Sequence, residues 1–162
     1  MSWDLTAGRN LLIQRDERRS SPSVSLDLIA MTVLTCDTHE LVVVDPHRRH
    51  HWLGEPAAIP SSSCSWAATA EQIACAVTGL DTPLAGRRRV LLVADLAATV
   101  AALGVEGGKR LAAIASEASE RQVLLVATAA ETDPRWYPAG LIDAFDDIVA
   151  RPRGRRSTRR SL

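Results

Sequence analysis

Leu41-Val42-Val43-Val44-Asp45-Pro46-His47 is the stretch on which the fold turns. Four successive apolar residues, three of them β-branched, show no alternation between faces. A strand of that kind is buried on both sides, as in a parallel sheet covered by helices. The run closes on Asp45-Pro46, and proline has no N–H to continue a ladder. The chain therefore leaves the sheet there, at a carboxyl end, where α/β proteins place their ligand sites. Working outward, Asn10-Leu11-Leu12-Ile13-Gln14, Val90-Leu91-Leu92-Val93 and Val123-Leu124-Leu125-Val126-Ala127 read as further strands, with a short fifth at Asp147-Ile148-Val149-Ala150.

Helical segments fall between these runs. Ser21-Pro22 carries the signs of a helix start, serine as cap and proline in the first turn. The helix it opens extends to about Thr35. Val24, Leu26, Leu28, Ile29, Met31, Val33 and Leu34 make it apolar on most sides, so it is expected to lie buried between the sheet and another element. Residues 46–65 read as loop, Trp66 to Val77 as a modest helix closed by Gly79, and Lys109 to Arg121 as an amphipathic helix. Strand–helix alternation predicts a three-layer α/β sandwich with a mainly parallel sheet and right-handed crossovers.

The chain has 162 residues, enough for one domain with a core. Its net charge of zero conceals an uneven layout. Six of the 19 basic residues, Arg151, Arg153, Arg155, Arg156, Arg159 and Arg160, lie after position 150, leaving 13 against 19 acids before it, a net of −6. The expected organisation is an acidic body over residues 1–150 and an Arg-rich tail over 151–162. Cys36, Cys64 and Cys75 are odd in number and irregularly spaced, so they imply no disulfide framework. Met1-Ser2-Trp3-Asp4 lacks the regions of a signal peptide, and the longest apolar stretch, Leu91 to Val105, is interrupted by Asp95. A cytoplasmic protein without membrane contact is expected.

The order of these segments resembles the motor domain of the FtsK/SpoIIIE family, RecA-like P-loop ATPases that act as hexameric rings around double-stranded DNA. The resemblance is carried by Asp4-Leu5, Asn10-Leu11-Leu12-Ile13, Ser23-Val24-Ser25-Leu26, Asp45-Pro46-His47 where the family has Asp-Pro-Lys, Ala127-Thr128, Gly140-Leu141-Ile142 and Ser157-Thr158-Arg159. It spans essentially the whole chain, each motif being weak alone. It implies a RecA-like P-loop fold, but the nucleotide machinery is degraded. A P-loop has the pattern G-x-x-x-x-G-K-S/T, whose backbone N–H groups cradle phosphate. Here Asp16, Ser21 and Pro22 replace the two glycines and the lysine, and only Ser23 survives. The family's Asp-Glu pair is reduced to Ala94-Asp95, with Asp95 at either the magnesium or the water-positioning place. The Gln-Arg after the fourth strand is Ala129-Ala130. The family's last strands and its DNA-tracking domain have no counterpart.

These losses predict no catalytic residue, with Ser23 and Asp95 as remnants, no cofactor and no ATP turnover. The expected function is a pseudo-ATPase of phage or mobile-element character, acting as a binding or regulatory module on a protein partner, a second copy of itself, or DNA. The alternative is a DNA-translocating subunit that is active only when completed by a neighbour. The Arg-rich tail is the candidate contact to double-stranded DNA, with a solubilising end as the rival reading. His47, His50 and His51 with Arg48 and Arg49 read as a solvated loop, with phosphate contact or metal ligation as alternatives. Cys36-x-x-His39 has zinc-like spacing but no second pair, with Cys64 too isolated to complete it. Cys75 is expected in the core, and Trp3, Trp52, Trp66 and Trp136 in packing or partner contacts.

Overall fold

The computed structural model describes residues 8–15, 23–55 and 64–150. In chain order the elements are β1 (Leu11–Gln14), α1 (Ser23–Leu34), β2 (His39–Val44), β3 (Cys64–Ala67), α2 (Ala70–Gly79), β4 (Arg88–Val93), α3 (Leu96–Ser116), β5 (Val123–Ala129) and β6 (Asp147–Ala150). Short 3-10 turns at His51–Gly54 and Pro134–Trp136 interrupt the loops. The strands form one sheet in the order β3-β2-β4-β5-β1-β6, and every pairing is parallel.

The continuous apolar strands are indeed covered on both faces. Leu41, Val43, Val90, Leu92, Leu124 and Val126 pack with Leu26, Ala30 and Val33 of α1. Their neighbours Val42, Val44, Leu91, Val93, Leu125 and Ala127 pack on the other face with Ile73 and Val77 of α2 and Leu111 and Ile114 of α3. Two-residue alternation thus sends one set of side chains into each layer. Burying each leucine or valine contributes roughly 1.5–3 kcal/mol. The result is an α/β sandwich with α1 on one face and α2 and α3 on the other.

Several boundaries differ from the sequence reading. Residues 64–67, expected as the end of a loop and the start of a helix, form β3, so Trp66 is a strand residue. The helix that follows starts at Ala70, where Thr69 and Gln72 make a reciprocal capping box. The helix expected from Lys109 starts at Leu96, capped by the Asp95 side chain on Ala98 N–H, and ends at Ser116. It is broken at Gly104, whose φ of 67° and ψ of −169° are not helical. Among the described residues no second layer encloses α1: Leu28 and Met31 are 60% and 56% exposed. Cys75 is exposed on α2 and is not in the core.

Two buried polar residues pin the layers together. Asn10 donates through Nδ2 to the carbonyls of Ala115 and Ala144 and accepts from Leu125 N–H, joining β1, α3, β5 and the approach to β6. Arg89 turns its guanidinium onto the carbonyls of Gly79, Leu80 and Thr82 and so closes the free end of α2. Burial lowers the Arg89 pKa, with Glu40 opposing the shift. No described helix is long and apolar enough to cross a membrane.

Candidate functional site at the carboxyl ends of the strands

Chain direction splits the sheet at its carboxyl edge. After β2 the chain turns onto the α1 face, where Trp52 and Leu53 pack. After β4 it leaves by α3 onto the opposite face. The ends of adjacent strands β2 and β4 therefore part company, which is where α/β folds open a crevice. Asp45-Pro46-His47 lines one side and Ala94-Asp95 the other.

That crevice is crossed by internal bonds. Asp95 Oδ1 accepts from Ala98 N–H at 3.0 Å, which caps α3. Its Oδ2 receives Arg15 Nη2 at 2.5 Å and lies 3.3 Å from His47 Nε2. Arg15 and Asp95 side chains are only 12% and 14% exposed. Arg15 follows β1 and reaches across the end of β5, where Ala129 and Ala130 offer no rival polar side chain. Its own N–H is held by the Ala129 carbonyl at 2.7 Å. Burial would raise the Asp95 pKa, but the Ala98 and Arg15 hydrogen bonds and the Arg15 and His47 charges outweigh it and hold the carboxyl below its ordinary value. Tyr137 also lies close: burial first, then the Asp95 and Glu131 charges, push its phenol pKa up, with Arg15 opposing.

Asp45 is likewise engaged. It is fully buried and accepts from Arg49 N–H at 3.1 Å, His50 N–H at 2.7 Å and Trp66 Nε1 at 3.4 Å. These bonds fold residues 45–50 into a tight turn, so the histidine-rich segment is not a uniformly solvated loop. His50 is 2% exposed, with Nδ1 2.8 Å from Asp27 Oδ1, to which Trp52 Nε1 also donates at 3.0 Å. Of the two histidines in this turn, His47 approaches Asp95 in the crevice and His50 turns to Asp27.

Of the sequence-derived site residues, Asp95 sits in the crevice and Ser23 is the first residue of α1. Asp16, Ser21, Pro22, Arg151, Arg153, Arg155, Arg156, Arg159 and Arg160 lie outside the described residues. Sequence reasoning passed over Arg15, whose only signal was its position directly after a strand, and Asp27, which lay inside a helix taken as buried. Cys36 and His39 bracket a turn, with His39 N–H on the Cys36 carbonyl. Among the described residues no three His, Cys, Asp or Glu side chains gather for a metal. Burial raises the Cys64 pKa to about 11, with Glu40 adding to the shift, so this thiol stays protonated. No protein-family model, curated protein or solved structure matches the chain.

Proposed function

We propose that the chain is a RecA-like P-loop domain without ATP turnover, a degenerate counterpart of the FtsK/SpoIIIE motors, acting as a binding or regulatory module. The Arg15–Asp95 pair carries this reading. A carboxylate that is to orient magnesium must offer its oxygens to the ion or its water shell. Both oxygens of Asp95 are occupied, one by the end of α3 and the other by Arg15 and His47. The parallel sheet, with β5 inserted between β1 and β4, is compatible with a RecA-like sandwich. The substitutions Asp16, Ser21 and Pro22 remove the loop chemistry itself.

Binding is then the remaining work of the domain. Trp136 and Val105, each 73% exposed, border a groove of about 880 Å3 between α3 and residues 135–139, a surface suited to a protein partner or a second copy. DNA contact would fall to Arg151–Arg160, because the body carries a net charge of −6. Calorimetry with ATP and magnesium tests the reading. No binding tighter than about 1 mM, roughly −4 kcal/mol, is expected, and hydrolysis or a micromolar Kd would overturn it. In parallel, a chain ending at Ala150 should bind duplex DNA more weakly than the full chain. Equal affinity of the two would remove the tail as the DNA contact.

A further inference from the structure

Among the described residues α1 is the one α-helix on its face of the sheet. Leu28, Met31, Thr32 and Thr35 are exposed at spacings of i, i+3, i+4 and i+7, so they form a single ridge along it. Thr35 continues the last turn through its N–H on the Met31 carbonyl. The Thr32 and Thr35 hydroxyls donate to the carbonyls of Leu28 and Thr32 at 2.8 and 2.7 Å, so both hydroxyl protons are spent within the helix. Asp27 is the sole charged residue of α1, and one of its oxygens is taken by His50 Nδ1 and Trp52 Nε1. The outward ridge is therefore free of charge. A helix that is apolar on all sides belongs between two layers, and here the sheet supplies one.

Charges of opposite sign stand toward the two ends of this ridge. Asp37 lies just past the carboxyl end of α1. Arg48 and Arg49 lie in the turn that the His50–Asp27 contact holds against the first half of the helix. All three are exposed, and none has an ion-pair partner among the described residues. Residues 1–150 carry a net charge of −6, so two copies repel over most of their surface. The ridge of α1 is where that repulsion is absent. A two-fold axis perpendicular to α1 sets the two helices antiparallel. The Arg48–Arg49 end of each copy then faces the Asp37 end of the other.

We propose that the outward ridge of α1 is a self-association surface, on which α1 of a second copy of this chain packs antiparallel about a two-fold axis near Met31. An apolar centre with methionine and a charged rim is the usual make-up of such a contact. One helix ridge is small beside the roughly 800 Å2 per partner of a standard interface, so the dimer is of micromolar strength. The Trp136 groove lies on the α2 and α3 face and stays open in this dimer, available to a different protein. The contact stands on the α1 face alone. It does not depend on how the Arg15–Asp95 crevice is read, and the ATP titration leaves it untouched.

Sedimentation equilibrium of the intact protein tests this. The mass should approach twice that of the 17.5 kDa chain as the concentration rises through the micromolar range. Met31→Glu sets like charges against each other at the axis and should weaken association about a hundredfold or more, with an unchanged far-ultraviolet spectrum. If that variant fails to fold, Leu28→Glu one turn away is expected to act in the same direction. Trp136→Ala, on the opposite face, should leave the mass unchanged. Asp37→Arg should weaken the dimer roughly twofold to tenfold, the share of exposed rim pairs. Adding Arg48→Asp and Arg49→Asp to it should recover part of the loss. A wild-type chain still monomeric at about 0.1 mM would overturn the surface. So would a dimer that persists in a folded Met31→Glu or Leu28→Glu variant, or one that is lost in Trp136→Ala. Charge reversal without recovery would overturn the antiparallel arrangement.

Discussion

Asn10 shows how much one residue can hold. Three of the four hydrogen-bonding valences of its amide are filled by backbone groups of α3, β5 and the segment before β6, and its own N–H reaches Asp146 Oδ2 at 2.7 Å. Truncation leaves two carbonyls and the Leu125 N–H without this partner in a site that is 4% exposed. Asn10→Ala is therefore expected to lower unfolding free energy by more than about 2 kcal/mol, from penalties of roughly 1–3 kcal/mol per orphaned group. Urea unfolding checks this, and a loss below about 0.5 kcal/mol would show that water replaces the amide. The sequence alone placed Asn10 at the head of a strand, which was close. Nothing in it marked the amide as a bracket, because its partners lie more than 100 positions away. Arg15 was hidden for the same reason, being 80 positions from Asp95.

Among the elements, β2, β4 and β5 were legible because unbroken β-branched and leucine runs have no other stable home. β3 was not: Cys64-Ser65-Trp66-Ala67 is a four-residue strand, paired among the described residues to β2 alone, and carries no such run. Two local signals could have corrected the helix starts, Thr69-Ala70-Glu71-Gln72 as a capping box and Asp95 as a cap before Leu96. The break at Gly104 is a backbone demand of another kind. Its φ/ψ lie in a region essentially reserved for glycine. A Cβ there would meet nothing within 4 Å, so substitution tests conformation without steric clash. Gly104→Ala is expected to cost about 1–3 kcal/mol, measured by thermal or urea unfolding. Unchanged stability would mean that alanine straightens the helix and that the break has another origin.

At the scale of the molecule, the sheet brings two polar edges into being. One is closed by Arg15, Asp95 and His47, and the other begins at His39 of β2 and Arg88 of β4. The parallel α/β architecture was readable from strand–helix alternation. Which edge is filled by its own side chains was not, since that depends on strand order. The central claim is that Arg15 and Asp95 are structural partners that close the crevice, and a double-mutant cycle of Arg15→Ala and Asp95→Ala on unfolding free energy tests it most directly. The cycle cancels the cost of losing the α3 cap, which both Asp95→Ala backgrounds share. The expected coupling near neutral pH is about 1–3 kcal/mol. Because the folded carboxyl has a lowered pKa, this stabilisation is present above the ordinary carboxylate value of about 4 and is lost as pH falls through the folded value. Coupling that fades in acid is the predicted result. Coupling below about 0.3 kcal/mol at neutral pH, within ordinary additivity, would contradict the claim and leave Asp95 free for chemistry.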